Sequence, residues 1–201
     1  MNEPPIRLGI VGLKQGLEDV YVALHCEGFE LVAVCDREAE PFDWIKERAR
    51  FEDSAHEYAG HARQLDRMMK AIREHPDAKK IACFDDYETM LRDAELDAVS
   101  LMVPDALHAP FTRTALEAGK WVLCTKPMAD SLGAAREIAR AAEAHEGRYL
   151  MSLPFAYGPF ATGVRHILEA GEIGRPRLIR LDHLRKQFRP VHRSKATSHG
   201  P

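Results

Sequence analysis

The stretch "RLGIVG", from Arg7 to Gly12, is a continuous apolar run that ends at a glycine. A short apolar run bounded by a turn residue is typical of a buried β-strand. A helical segment around Asp19–Cys26 follows, and then a second apolar run, "ELVAVCD", from Glu30 to Asp36. A strand, a helix and another strand form a right-handed crossover between two parallel strands. The start of the chain therefore predicts a parallel α/β sheet.

Four further apolar runs continue this pattern, and they read "KIACF", "DAVSLMV", "KWVLC" and "RYLMSL". Helical patterns separate them. Apolar side chains recur every three or four positions from Ser54 to His75, and Ser131 precedes an alanine-rich segment as its expected N-cap. Six strands that alternate with helices predict an α/β fold with a doubly wound (Rossmann) parallel sheet over residues 1–153.

The sequence changes character after Leu153. A helix is expected from Pro159 to Ala170, and the following "GRPRLIRLDHL" alternates apolar and charged residues as an antiparallel strand would. Residues 154–182 are therefore interpreted as the truncated start of a second, α+β, domain. Residues 183–201 hold five Lys or Arg, three His and no acidic residue, which predicts a disordered basic tail.

Composition excludes several classes of function. The 201 residues carry a formal net charge of −3, which gives no bias towards nucleic acid or anionic membranes. No apolar segment approaches the roughly 18 residues of a membrane span. The four cysteines are widely spaced, so we expect reduced thiols in a cytoplasmic protein. The histidines of "HEYAGH" are five residues apart and diverge around a helix, so no metal site is predicted.

The segment from Asp85 to Leu181 carries a family resemblance. It contains, in order, "DDYETML", "LDAVSLMVPDALHAPFTRTALEAGKWVLCTKPMA" and "ILEAGEIGRPRLIRL". These pieces and their spacing resemble the glucose-fructose oxidoreductase, inositol dehydrogenase and rhizopine-catabolism (Gfo/Idh/MocA) family of NAD(P)-dependent oxidoreductases. The resemblance implies NAD or NADP as cofactor, a small sugar or polyol as substrate, and a C-terminal sheet through which such proteins can form homo-oligomers.

The resemblance also implies a catalytic residue. In the family the fifth strand ends with Glu-Lys-Pro, and here it ends with Thr125, Lys126 and Pro127. Lys126 would then assist proton transfer beside the nicotinamide and the substrate hydroxyl, while Pro127 would fix the turn. Hydride can leave an alcohol carbon only if the hydroxyl proton is also accepted, and a partly desolvated lysine can accept it. The alternative is a lysine that reaches solvent from a strand end.

The phosphate-binding turn departs from the usual fingerprint. A Rossmann turn uses glycines for a tight bend, for close approach of the pyrophosphate and for helix packing. Here the run "GLKQGLEDV" supplies Gly12 in the first position, but Lys14 and Leu17 stand in the second and third, with Gly16 as a displaced glycine. The helix N-terminus can still offer N–H groups to an anion, and Lys14 could pair with a phosphate.

Four more residues are candidates for cofactor binding. Asp36 ends the second strand, where a carboxylate accepts a hydrogen bond from a ribose 2′-hydroxyl and favours NAD. Arg37 could instead accommodate the 2′-phosphate of NADP, so the choice stays open. Pro104 and His108 lie in "VPDALH", which matches the family segment that passes beside the dinucleotide. His108 has an equal alternative as a capping or packing residue.

Two hypotheses remain. The first is an NAD(P)-dependent oxidoreductase acting on a sugar, polyol or related hydroxy compound and present as a fragment. The second is a non-catalytic Rossmann protein that binds a dinucleotide or a partner. The family's asparagine and arginine after the sixth strand are replaced by Pro154 and Ala156, and the family's later Asp/His helix has no counterpart. We therefore expect no dehydrogenase turnover from these 201 residues alone.

Overall fold

The computed structural model describes residues 4–38, 59–180 and 182. The first residues of the helix predicted from Ser54 and the predicted basic tail at residues 183–201 lie outside this description. Interresidue contacts divide the chain into two compact units, Met1–Pro154 and Phe155–Pro201.

A parallel sheet of six strands forms the first unit, as far as the chain is described. In spatial order the strands run β3, β2, β1, β4, β5, β6, and every neighbouring pair is parallel. This order confirms the predicted doubly wound Rossmann sheet, and the strand order reverses between β1 and β4. The strands are β1 (Ile6–Val11), β2 (Phe29–Cys35), β3 (Ala82–Phe84), β4 (Ala98–Leu101), β5 (Trp121–Thr125) and β6 (Tyr149–Ser152).

Helices follow the strands in the alternation that the sequence predicts. Their bounds are α1 (Leu13–His25), α2 (Ala59–Glu74), α3 (Tyr87–Asp93), α4 (His108–Glu117), α5 (Leu132–Ala144), α6 (Pro154–Tyr157) and α7 (Pro159–Glu169). The N-cap prediction for Ser131 is confirmed, since its hydroxyl accepts a hydrogen bond from the backbone N–H of Ala134 at 3.2 Å. None of the described helices is long and apolar enough to cross a membrane.

Helix α1 begins earlier than predicted. The sequence placed the helical segment around Asp19–Cys26, but the helix starts directly after Gly12, at Leu13. Leu13 and Leu17 are buried against the sheet, whereas Lys14 and Gln15 are exposed in the first turn. Lys14 and Gln15 are polar because they border the cleft described below, whereas Leu13 and Leu17 face the core.

Two apolar layers hold the sheet, one on each face. The first contains Leu13 and Val20 of α1 with Ile72 of α2, and the second contains Met90 of α3 with Leu116 of α4. All five side chains are fully buried. Because both faces are covered at the centre of the sheet, the strand ends that carry the candidate site are held in fixed positions.

The strand predicted in "PRLIRL" is not observed. The described residues as far as Arg180 contain no strand there, and Leu178 and Ile179 are 87% and 73% exposed. Alternation shows which face of a strand would be wet, but a strand also needs a neighbour to satisfy its backbone N–H and C=O groups. No pairing strand is present in the described part of the second unit.

An ion pair at the start of β1 predicts how stability depends on pH. The Asp97 carboxylate accepts hydrogen bonds from the backbone N–H of Arg7 and from two guanidinium nitrogens, at 2.9–3.1 Å. These bonds hold the pKa of Asp97 at about 2. The unfolded value is about 4, so the stabilising effect is complete above about pH 4 and is lost as the pH falls towards 2.

Urea unfolding at a series of pH values tests this expectation. Asp97→Asn should remove part of the loss of stability between about pH 4 and pH 2. Glu95→Gln is the control, because it removes the more exposed partner of Arg7 and should keep the wild-type acid dependence. Identical pH profiles for Asp97→Asn and wild type would contradict the assignment.

Candidate functional site

A cleft of about 720 Å³ lies at the carboxyl ends of the central strands. Its lining includes Gly12 after β1, Asp36 after β2, Asp85 after β3 and Pro104 just beyond β4. Open α/β sheets bind ligands at this edge, where the strand order reverses. The volume is within the range usual for small-molecule and cofactor pockets.

Gly12 forms the turn between β1 and α1. Its φ is +86°, and a Cβ atom there would lie 2.4 Å from the carbonyl oxygen of Met102. The Gly12 N–H donates to the carbonyl of Cys35 at 2.9 Å, which ties the turn to β2. Only glycine fits this position, as a tight phosphate-binding turn requires.

Gly16 does not line the cleft. It lies within α1 against β1, and a Cβ atom there would be 3.0 Å from Cγ2 of Ile10. This close helix-to-strand packing is what the third glycine of the Rossmann fingerprint provides. The displaced glycine therefore serves packing rather than direct contact with a ligand.

Lys14 lines the cleft and pairs with another lining residue, which sequence reasoning missed. Its Nζ lies 2.8 Å from Oε2 of Glu38, which follows β2, and both side chains are about half exposed. The ammonium group lowers the pKa of the Glu38 carboxyl. The two residues are far apart in the sequence, and no short motif links them.

The Asp36 carboxylate is fixed by two backbone hydrogen bonds. Oδ2 accepts from the N–H of Leu13 at 2.8 Å, and Oδ1 accepts from the N–H of Glu38 at 3.1 Å. A carboxylate has about four acceptor positions, so Asp36 can also accept from a ligand hydroxyl. Asp36 and Arg37 both line the cleft, at the places expected for them.

Two stacked aromatic rings contribute to the lining on the side of α3 and α4. The rings of Tyr87 and Phe111 have centroids 4.4 Å apart and are nearly parallel, and the Tyr87 hydroxyl donates to the carbonyl of Phe111 at 3.0 Å. Burial raises the pKa of Tyr87. Pro104 continues this lining. Tyr87 and Phe111 were not candidates from sequence, although both lie in segments that resemble the family.

The charged residues of the cleft are mostly acidic. The acidic lining residues are Asp36, Glu38, Asp85, Asp86, Glu88 and Asp105, and the basic ones are Lys14, Arg37 and Arg113. Asp86 caps α3, and the hydrogen bonds it accepts from Thr89 lower its pKa. An anionic ligand would therefore depend on the few cations and on the N-terminus of α1.

His108 lies beneath the cleft rather than on its wall. The side chain is fully buried at the start of α4. Its Nδ1 is 2.9 Å from the carbonyl oxygen of Pro127, and its Nε2 is 2.9 Å from that of Val103. The ring thus joins the segment after β4 to the turn after β5, which is the packing role that the sequence left open.

Lys126 and Pro127 lie at the same edge of the sheet, after β5. Both are exposed, the peptide bond between them is cis, and neither belongs to the lining of the cleft. The candidate catalytic lysine is thus next to the strand that borders the cleft. Within the described ranges, no three His, Cys, Asp or Glu side chains are placed to hold a metal ion.

These features are those of a doubly wound α/β domain with a cleft at the point where dinucleotide-binding domains of this fold hold their ligand. A family model described as "Oxidoreductase family, NAD-binding Rossmann fold" matches residues 6–153, well over half of the chain. The chain belongs to this family, Gfo/Idh/MocA, which confirms the resemblance found in the sequence.

Individual relatives cover part of the chain. It is 36% identical over 109 residues to an inositol 2-dehydrogenase of Rubrobacter xylanophilus, which is 53% of this chain and 31% of that protein. It is 30% identical over 80 residues to a D-xylose 1-dehydrogenase [NADP(+)] of Haloarcula marismortui, 40% of this chain and 22% of that one. The matches thus span about a third or less of these curated relatives.

A solved structure has the same fold. The scyllo-inositol dehydrogenase of Lactobacillus casei, with bound NAD(H) and scyllo-inositol, superposes with a TM-score of 0.65. The superposition covers 85% of this chain and 43% of that chain, at 20% sequence identity. At this identity the likeness establishes the fold alone.

Proposed function

We propose that this chain forms the dinucleotide-binding part of an NAD(P)-dependent oxidoreductase that transfers hydride to or from a sugar, polyol or related hydroxy compound. The observation that carries the proposal is the convergence of Gly12, Asp36 and Pro104 on one cleft where the strand order reverses, with Lys126 directly after the neighbouring strand β5. Relatives named as inositol and xylose dehydrogenases support this class of substrate.

The residues of the cleft fit a dinucleotide. Gly12 allows the backbone to turn where any side chain would strike Met102. Asp36 is held with acceptor capacity to spare for a ribose hydroxyl, and the α1 N-terminus opens beside it. Tyr87 and Phe111 add a pair of stacked aromatic rings to the lining of the cleft. When bound, the nicotinamide ring supplies the hydride donor or acceptor.

Lys126 is proposed to handle the proton. Its Nζ would accept the hydroxyl proton as hydride leaves an alcohol carbon, and would return a proton in the reverse direction.

The protein is proposed to be cytoplasmic. All four cysteines are free and two of them are buried, and reduced thiols are usual in the reducing cytoplasm. Homo-oligomer formation through the C-terminal sheet stays a prediction.

One observation favours the alternative of a non-catalytic Rossmann protein. Lys14 stands where the fingerprint has the glycine that lets the pyrophosphate approach, and it is paired with Glu38. A side chain at this point reduces contact between the backbone and a dinucleotide. The two functions differ in whether the intact protein catalyses dehydrogenase turnover, whereas both allow weak binding of a dinucleotide.

Calorimetric titration tests cofactor binding directly. We expect NAD to bind with a Kd in the range of about micromolar to millimolar, because the altered turn costs contacts but leaves the helix N-terminus in place. Asp36→Ala should weaken binding about tenfold or more, through loss of the ribose contact and of the anchored helix start.

Asp93→Ala is the matched control, since Asp93 ends α3 outside the cleft. It should bind as the wild type does. Absence of heat and of any thermal shift at several millimolar NAD and NADP would refute the proposed dinucleotide site.

A further inference from the structure

We propose that Glu38 makes this cleft select NAD over NADP, by opposing the charge of Lys14 beside Asp36. The inference rests on the proposed dinucleotide binding and names the cofactor that the site prefers. Glu38 is bonded through its side chain to Lys14 at 2.8 Å and through its backbone N–H to Asp36 at 3.1 Å. The three charged groups are therefore linked at one end of the cleft.

The charges at this end decide between the two cofactors. NADP differs from NAD by a phosphate on the 2′-oxygen of the adenosine ribose, the group that a carboxylate at the end of β2 contacts. Lys14 and Arg37 supply two positive charges there, and Asp36 and Glu38 supply two negative charges. Among the described residues after β2 and at the start of α1, these four charges cancel, so they give the dianionic phosphate no net attraction.

A hydroxyl and a phosphate also differ in what they offer to Asp36. The 2′-hydroxyl can donate a hydrogen bond to the carboxylate, but a fully ionised phosphate has no proton to donate and is repelled by it. Glu38 adds a second carboxylate and draws the Lys14 ammonium group towards itself. Both effects act mainly against NADP, because only NADP carries a charged group on the 2′-oxygen.

Glu38 is the separable part of this arrangement. Asp36 holds the start of α1 through the N–H of Leu13, so replacing it disturbs the turn as well as the charge. The Glu38 side chain is about half exposed. Glu38→Gln keeps its size, removes one negative charge and leaves its backbone bond to Asp36 available.

The test is calorimetric titration of NAD and NADP into the whole chain. Wild type should bind NAD at least about tenfold more tightly than NADP. Glu38→Gln should tighten NADP binding about tenfold and change NAD binding by less than about twofold, and about 0.5 M salt should reduce the gain. Glu88→Gln is the matched control, because Glu88 lines the same cleft from α3, and it should keep the wild-type ratio.

A double variant tests the part played by Lys14. Adding Lys14→Met to Glu38→Gln should remove most of the gain in NADP affinity. Equal NAD-to-NADP ratios for Glu38→Gln and Glu88→Gln would overturn this inference while leaving the proposed function intact, and so would a gain that survives without Lys14. Failure of every variant to bind either cofactor would overturn the proposed function and this inference with it.

Discussion

Replacing Gly12 by alanine is expected to lower the free energy of unfolding by about 3 kcal/mol or more and to abolish dinucleotide binding. The new Cβ atom would lie 2.4 Å from the carbonyl oxygen of Met102 and 2.8 Å from its carbonyl carbon. These are backbone atoms of the segment after β4, so no side-chain rotation can relieve the contact. The turn would have to move away from β4 and would widen the cleft.

Gly28→Ala separates the contact from the backbone conformation. Gly28 has a φ of +93°, close to that of Gly12, but nothing lies within 4 Å of a Cβ atom there. Gly28→Ala should therefore lower the free energy of unfolding by only about 1–2 kcal/mol, the usual penalty for a non-glycine residue at positive φ. Urea unfolding of both variants gives the comparison. Equal losses would show that the Met102 contact is relieved at little cost.

The sheet could be predicted because its central strands are largely buried on both faces. Central parallel strands read as continuous apolar runs, and "RLGIVG" and "KWVLC" need no partner to be recognised. The strand predicted in "PRLIRL" is not observed in the described residues, for the complementary reason. Its alternation describes one wet face, but pairing depends on a neighbouring strand that the local sequence does not contain.

The site could be predicted only where position in the fold decides it. Gly12 and Asp36 directly follow strands, so their place at the cleft follows from strand order. The Lys14–Glu38 pair and the contacts of His108 depend on side chains brought together by tertiary structure. Gly16 is an intermediate case, since its role in packing is visible only once α1 is known to begin at Leu13.

Replacing His108 is expected to give the second large effect, which is a loss of stability. His108→Phe keeps a ring of similar size but removes both ring nitrogens from the carbonyls of Val103 and Pro127, each 2.9 Å away. A neutral imidazole donates to one of these carbonyls and an imidazolium to both. Leaving buried acceptors without a donor should lower the free energy of unfolding by about 2–4 kcal/mol.

The same substitution should loosen the turn that presents Lys126, because the Pro127 carbonyl loses its tie to α4. Hydrogen–deuterium exchange of the segment after β5 should therefore become faster in His108→Phe under native conditions. His145→Phe is the matched control, since His145 caps the end of α5 and is only partly buried. It should cost less than about 1 kcal/mol and leave exchange after β5 unchanged. If His108→Phe lowers stability without changing that exchange, the hydrogen bond to the Pro127 carbonyl does not hold the turn, and the position of Lys126 is set by the turn itself.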